Sequence, residues 1–309
     1  MHRKILFEMN SVYRDNFRVA GYKFGHGEKS VCIMGAMRGN EVQQLYICSQ
    51  LVNKLREIEK SGGIKEGKSI MVIPCANSYS MNVGKRFWPS DNTDINRMYP
   101  GYSLGETTQR IAAGIFESVC DYKIGLQFAS NYISGNFLPH VKIMKTDFVD
   151  IDMAKDFDFP YVVVRDPKPY DTTTLNYNWQ IWETKAFSLY TSSTNQIDME
   201  NAILAEKAVL GFLAKQNIIE YNHKDVYSTK VISEKELVNV KSDVSGIFIP
   251  EKGHDDVVSK GDVLANVINP YEGNVIKQII APCDGTIFFM QDRTLLLANA
   301  LVYRIIKED

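Results

Sequence analysis

The chain is poor in the residues that usually announce a site or a compartment. Only five of its 309 residues are cysteine: Cys32, Cys48, Cys75, Cys120 and Cys283. The number is odd and no pair stands in a CxxC spacing, which leaves neither a disulfide framework nor a cysteine zinc site. The expected state is buried, reduced thiols in a cytoplasmic protein. Histidine is equally scarce, with five in all. The formal net charge is only −2, so no electrostatic pull toward nucleic acid or a membrane surface is expected. No apolar run approaches the ~20 residues of a spanning helix. The opening stretch MHRKILFEMNSVYRDNF is apolar only from Ile5 to Phe7, so no secretory leader is expected. What remains is ordinary for a soluble globular chain: 45% hydrophobic and 23% charged residues. The length allows one large domain and a smaller one.

Strand and helix signals alternate over the first two-thirds. KSVCIMGAM reads as a buried strand, and from Glu41 the apolar residues Val42, Leu45, Leu51, Val52, Leu55 and Ile58 recur at helical spacing until the glycines of SGG at 61–63. KSIMVIPCA is a second buried strand, GETTQRIAAGIFESVC an amphipathic helix and DYKIGLQFA a third strand. FPYVVVRD and KAFSLYT read as further strands, and DMENAILAEKAVLGFLAKQ as a closing helix with Asp198 at its N-cap. Strands separated by helix-length segments imply βαβ units and a mixed, largely parallel sheet flanked by helices. Ligands of such sheets bind beyond the carboxyl ends of the strands, here segments 37–41, 75–101, 127–140 and 190–196. After about residue 224 the helical period disappears. Short β-type runs punctuated by Gly, Pro, Asn and Asp indicate a small all-β module. The expected division is therefore residues 1–224, an α/β domain, and 225–309, an all-β domain, with the boundary in NIIEYNHKD.

Four segments in order carry a resemblance: RGNE (Arg38 to Glu41), Arg86 followed by DINRMYPG (94–101), GLQ (125–127) with Pro139-His140-Val141, and FSLYTSS with Tyr190. Together they resemble the aspartoacylase and succinylglutamate desuccinylase family, relatives of the zinc carboxypeptidases that hydrolyse amide bonds of N-acyl amino acids with one zinc ion. The carboxy-terminal GIFIPEKG, VSKGDVLANV and APCDGTI resemble that family's barrel-sandwich module, similar in shape to lipoyl domains. That module lacks a Met-Lys-Met-type biotin site, so no carrier role is expected. The resemblance implies a zinc carboxypeptidase-like α/β fold with a carboxy-terminal β-barrel-sandwich.

In the family, His, Glu and His hold the zinc. The matching residues are Arg38, Glu41 and Gln127. A catalytic zinc needs three protein ligands with lone pairs and an open position for water. Arginine has only donors and stays protonated. An amide oxygen such as that of Gln127 is a weak, hard-metal ligand. The family's general base, a glutamate, is matched by Tyr190, whose reference pKa near ~10 makes it a poor base at neutral pH. With two ligands and the base replaced, zinc hydrolysis is not expected and no cofactor is implied. Zinc returns only if a metal-dependent amidohydrolase or deacylase survives with a rearranged site. His26 precedes the first buried strand, the wrong end for a site. His140 is placed by the resemblance to line the pocket, although a lone histidine is more often a structural, hydrogen-bonded one.

The anion-binding half of the family's pocket is present. By the resemblance Arg86 would polarise the scissile carbonyl, and Asn96 and Arg97 would hold a substrate carboxylate. A guanidinium suits a carboxylate bidentately. Arg38 adds a cation where zinc would sit, with Glu41 three residues on and able to pair with it. The aromatic stretch containing Tyr170, Tyr177, Trp179 and Trp182 reads as packing against the sheet or as a lid, and the acidic run DFVDIDMAKDFD as a solvated face. Three functions compete: a non-hydrolytic protein binding a small acidic ligand through Arg86, Asn96, Arg97, Arg38, Gln127, His140 and Tyr190; a hydrolase with a rearranged metal site; and a scaffold with an inert pocket, in a homo-oligomer or beside a partner enzyme.

Overall fold

The structure is a computed structural model and describes all residues except Tyr13, Arg14 and Asp309. The chain forms two compact units, Met1–Ser130 with Pro139–Val231, and Asn131–Leu138 with Ile232–Asp309.

The first unit opens with β1 (His2–Met9), β2 (Phe17–Gly25), β3 (Glu28–Ala36), α1 (Val42–Lys60), β4 (Lys68–Cys75) and the short α2 (Ser78–Asn82). After α3 (Thr107–Val119) and β5 (Ile124–Phe128) the chain contributes β6 (Gly135–Phe137) to the second unit. It then returns through β7 (His140–Met144), α4 (Ile151–Lys155), β8 (Tyr161–Arg165), α5 (Leu175–Ile181), β9 (Lys185–Tyr190) and α6 (Met199–Lys215), and leaves along β10 (Lys230–Ser233). These strands form one sheet in the order β1-β2-β4-β3-β5-β9-β7-β8-β10. Its centre, β4-β3-β5-β9, is parallel, while β1, β2 and the β9–β7 pairing are antiparallel.

The two-residue period of the central strands decides what covers each face. From β3 and β4, Val31, Ile33, Ile70 and Val72 pack with Ile47, Leu51 and Leu55 of α1 and Val209 and Phe212 of α6. The alternate residues Cys32, Met34, Met71 and Ile73 pack with Ile111 and Ile115 of α3 and Leu175 and Trp179 of α5. The near-continuous apolar character of β3 and β4 follows from this double burial. As expected, Asp198 caps α6, its carboxylate accepting from Asn201 N at 3.1 Å.

Gly125 on β5 is required by close packing. A Cβ there would stand 2.5 Å from Cε3 of Trp179. The Trp179 ring is fully buried and donates its Nε1 to the Val119 carbonyl at 3.0 Å. The aromatic stretch therefore packs through Trp179, while Trp182 is exposed and meets Phe116 edge-on at 5.2 Å.

The second unit adds β11 (Leu237–Lys241), β12 (Gly246–Pro250), β13 (Val257–Val258), β14 (Val263–Ile268), β15 (Val275–Ile280), β16 (Gly285–Gln291), β17 (Leu295–Leu296) and β18 (Leu301–Lys307). Two antiparallel sheets, β11-β18-β16-β13 with β6 on β16, and β15-β14-β12-β17, enclose Phe248, Leu264, Val267, Ile287, Val302 and Tyr303. The units meet in sequence at Val231/Ile232, a few residues beyond the expected 224/225, and the chain just past the polar stretch is bonded to the first unit. Asp158 accepts from the backbone N–H groups of Val226 and Tyr227 at 2.9 and 2.7 Å and lies 3.2 Å from His223 Nε2. Lys230 N donates to Pro160 O at 3.0 Å. No helix among the described residues is long and apolar enough to cross a membrane.

The contact at Gly125 predicts that Gly125→Ala overpacks the face shared with α5. The expected loss is about 1–3 kcal/mol, read as a lowered denaturation midpoint with an unchanged m-value.

Candidate functional site

Strand β3 carries the chain to the carboxyl end of the sheet, where Met37 to Glu41 turn it into α1. Gly39 is there because a Cβ would lie 2.2 Å from Lys85 O, and its N–H donates to Arg86 O at 3.0 Å. The turn is closed by Glu41 N donating to Arg38 O at 3.1 Å. Two buried glutamines at the start of α1 then bind the neighbouring strand ends. Gln43 donates its Nε2 to Thr191 O at 2.9 Å and accepts from Asp198 N at 2.8 Å. Gln44 donates to Ala129 O at 3.3 Å. The exits of β5 and β9, with Ser130 and Tyr190 beside them, are thereby held to the exit of β3.

Arg38 is buried at 7% exposure and Glu41 at 1%. The Arg38 guanidinium donates Nε and Nη2 to Asp94 Oδ2 at 3.0 and 2.8 Å, and Nη1 to Glu41 Oε1 at 3.0 Å and Ser130 Oγ at 3.3 Å. Four of its five N–H groups are engaged. Burial opposes its charge and is the largest single influence, but Glu41 and then Asp94 outweigh it and raise its pKa above the ordinary arginine value. Glu41 is equally committed. Its Oε1 accepts from Arg38 Nη1 and from Ser130 Oγ at 2.5 Å, and its Oε2 accepts from Met37 N and Arg38 N at 2.7 and 3.0 Å. A carboxylate has about four lone-pair positions, and all four of these are taken.

Asp94 links this cluster to the predicted anion-binding pair. Its other oxygen, Oδ1, caps the 3₁₀ turn Ile95–Arg97 by accepting from Asn96 N at 3.0 Å. Asn96 is buried, and its side-chain oxygen accepts from Leu175 N at 3.3 Å. Among the described residues its Nδ2 takes no hydrogen bond. Arg97 is half-buried, donates to Tyr170 O, lies over the Tyr170 ring at 5.3 Å and stands 3.9 Å from Asp171. Asp171 itself is held more closely by Arg165 at 2.6 Å.

The remaining predicted residues lie on the strands or beside the turn. Gln127 is buried on β5 between Met34 of β3 and Ser188 of β9. His140 and Tyr190 face each other across β7 and β9 with rings stacked at 4.7 Å and 7°. His140 is 1% exposed, so its ring is part of the sheet packing. Lys142, two residues on, lies 5.0 Å from the Tyr190 ring centre. Arg86 reaches the turn through its backbone carbonyl, and its guanidinium lies 5.4 Å from the Phe87 ring. Sequence reasoning pairs Arg38 with Glu41 but misses Asp94 and Ser130. The one available signal for Asp94 was that it opens the DINR segment and that a buried arginine needs anions.

Deleting the Arg38 charge leaves two carboxylates facing each other in a buried site. Arg38→Met is expected to destabilise the fold by about 3–5 kcal/mol, measured by chemical denaturation at neutral pH.

Comparison with known proteins agrees with this architecture. The succinylglutamate desuccinylase/aspartoacylase catalytic domain matches residues 27–211, more than half of the chain. No curated protein matches the sequence. Among solved structures, a succinylglutamate desuccinylase from Silicibacter sp. TM1040 shares 16% identity at a TM-score of 0.83, covering 99% of this chain and 95% of its own. A succinylglutamate desuccinylase/aspartoacylase from Rhodobacter sphaeroides shares 15% at 0.79, with coverage of 95% and 90%. The product-bound ectoine utilization protein of Ruegeria pomeroyi shares 17% at 0.78, also with 95% and 90%. These likenesses are of fold; the catalytic-domain match shows that the chain belongs to the succinylglutamate desuccinylase/aspartoacylase family.

Proposed function

We propose that this family member binds a small carboxylic acid, of the acyl amino acid or peptide-like class, without the family's zinc-dependent hydrolysis. The observation that carries the reading is the closed coordination of Glu41. It is the one carboxylate at a family ligand position, and its four acceptor positions are filled by Met37 N, Arg38 N, Arg38 Nη1 and Ser130 Oγ. A zinc ion needs three lone-pair donors around it. Arg38 offers none and adds a fixed positive charge beside Glu41, and Gln127 supplies at most one amide oxygen. The residues present do not fit the ion, and no hydrolytic step is derived through it.

What these residues can do is bind and orient. Arg97 and the Asn96 amide nitrogen are hydrogen-bond donors carried by one short turn, and a guanidinium suits a carboxylate. Asp94 fixes that turn by capping it and is itself fixed by Arg38. Arg38 retains one Nη2 N–H for a ligand. Tyr190, stacked on His140, offers a phenol where the family has its general base, and a phenol O–H donates a hydrogen bond. The competing reading, a deacylase with a rearranged metal site, draws on family membership alone.

Elemental analysis of protein purified without chelator is expected to find no stoichiometric zinc, and Arg38→His alone is expected to remain free of zinc and of deacylase activity. One zinc per chain lost on replacing Glu41 would overturn the reading. In a thermal-shift series with N-acyl amino acids and dicarboxylates, at least one acid is expected to raise the melting temperature of the parent, with Arg97→Ala abolishing that rise.

A further inference from the structure

One buried polar side chain in the first unit is unmatched at both of its hydrogen-bonding atoms. Asn176, in the first turn of α5 and 3% exposed, has its amide oxygen and its amide nitrogen enclosed without a partner among the described residues. One helical turn later the fully buried Gln180 donates Nε2 to Met144 O at 3.2 Å, while its Oε1 is likewise unmatched. Residues i and i+4 share a helix flank. One side of α5 therefore presents an unused NH₂ and two unused carbonyl oxygens. Buried amides left this way are costly and rare in folded proteins, and each calls for a specific account.

Their position supplies one. The backbone N–H of Leu175, the residue before Asn176, donates to Asn96 Oδ1, and Tyr99 N donates to Thr173 O at 3.0 Å. The start of α5 is thus fixed to the turn that carries Asn96 and Arg97. Asn176 is the residue that follows this backbone link to the Asn96 turn on α5.

The geometry points to Asn176 and Gln180 as a second subsite that takes the uncharged head of the bound acid, a primary carboxamide or a ureido group. The inference rests on carboxylate binding at Asn96 and Arg97. An asparagine amide shows a donor and an acceptor side by side in one plane. The group that answers both at once has a carbonyl oxygen and an N–H on the same edge. A primary carboxamide does so: its oxygen accepts from Asn176 Nδ2, one hydrogen goes to Asn176 Oδ1, and the other is free for Gln180 Oε1. A second carboxylate would face both of those carbonyl oxygens and be repelled. A ketone would leave both unmatched. A trans secondary amide shows its N–H and its oxygen on opposite edges and meets only one.

Isothermal titration of the full chain with three acids of similar size tests this. Succinamate carries a primary carboxamide, succinate a carboxylate, and levulinate a ketone in its place. Succinamate is expected to bind at least about tenfold more tightly than the other two, the effect of leaving one buried hydrogen-bonding group unpaired. Asn176→Leu is expected to remove that preference, bringing the affinity for succinamate to that for levulinate. Replacing unmatched groups by an apolar side chain of similar shape should leave the fold intact. Gln180→Met, expected to reduce the preference in part, serves as the second variant. Equal binding of the three acids, or a preference that survives Asn176→Leu, overturns the subsite and leaves the carboxylate clamp standing; it would mean that ordered water fills the gap. If none of the three binds and Arg97→Ala behaves as the parent, the subsite and the clamp fall together.

Discussion

A single guanidinium organises the carboxyl end of this sheet. Arg38 joins Glu41 from its own turn, Asp94 from the segment ahead of α3 and Ser130 from the exit of β5. Positions 38, 94 and 130 are far apart in sequence, although β3 and β5, which lead into the turn and into Ser130, already pair in the sheet. A metal ion would cross-link acidic and polar side chains in the same way, through one central positive charge. Arginine does it with directional N–H groups and a charge that cannot be removed by chelation or by any ordinary pH. Unlike a metal ion it has no empty orbital with which to coordinate and acidify a water. At this turn the arginine itself is the centre of charge.

Because the cation is covalently part of the chain, the anions around it are permanently committed. Asp94 then becomes the joint between the buried cluster and the 3₁₀ turn, since one oxygen holds Arg38 and the other caps Ile95–Arg97. Gln43 and Gln44 perform the matching task on the opposite side, tying α1 to the exits of β5 and β9. The candidate site is rigid for reasons visible in individual hydrogen bonds.

Much of this was legible from residue order. The central strands β3, β4, β5 and β9 show as long apolar runs because both of their faces are covered, and α1, α3 and α6 show by their helical spacing. The mixed α/β sheet with a separate antiparallel module follows from that pattern and from the family resemblance. The hairpin β1–β2 was not legible, since most of β1 is exposed and its residues do not alternate. The antiparallel direction of β7 against β9 was equally hidden, because direction is decided by where the chain crosses and not by which residues it contains. Arg38 and Glu41 are three positions apart and their pairing could be argued locally. Asp94 and Ser130 could not be, because only the fold brings positions 38, 94 and 130 together. The chain's hold on Asp158 just past the boundary expected within 217–225 was hidden for a similar reason: Asp158 is one acidic residue among many in its segment until the fold places Val226 and Tyr227 on it.

The eight residues between Ser130 and Pro139 lend one strand, β6, to a sheet whose other members all come from the last third of the chain. The two units are therefore not beads on a string. Residues 232–309 made alone would lack a strand on β16, and residues 1–231 would carry that strand with nothing to receive it. The stretch that supplies β6 begins directly after Ser130, which hydrogen-bonds within the Arg38 cluster. A natural truncation or an engineered fusion at residue 231 would cut through an interleaved pair, which makes this family member a poor donor of independent modules.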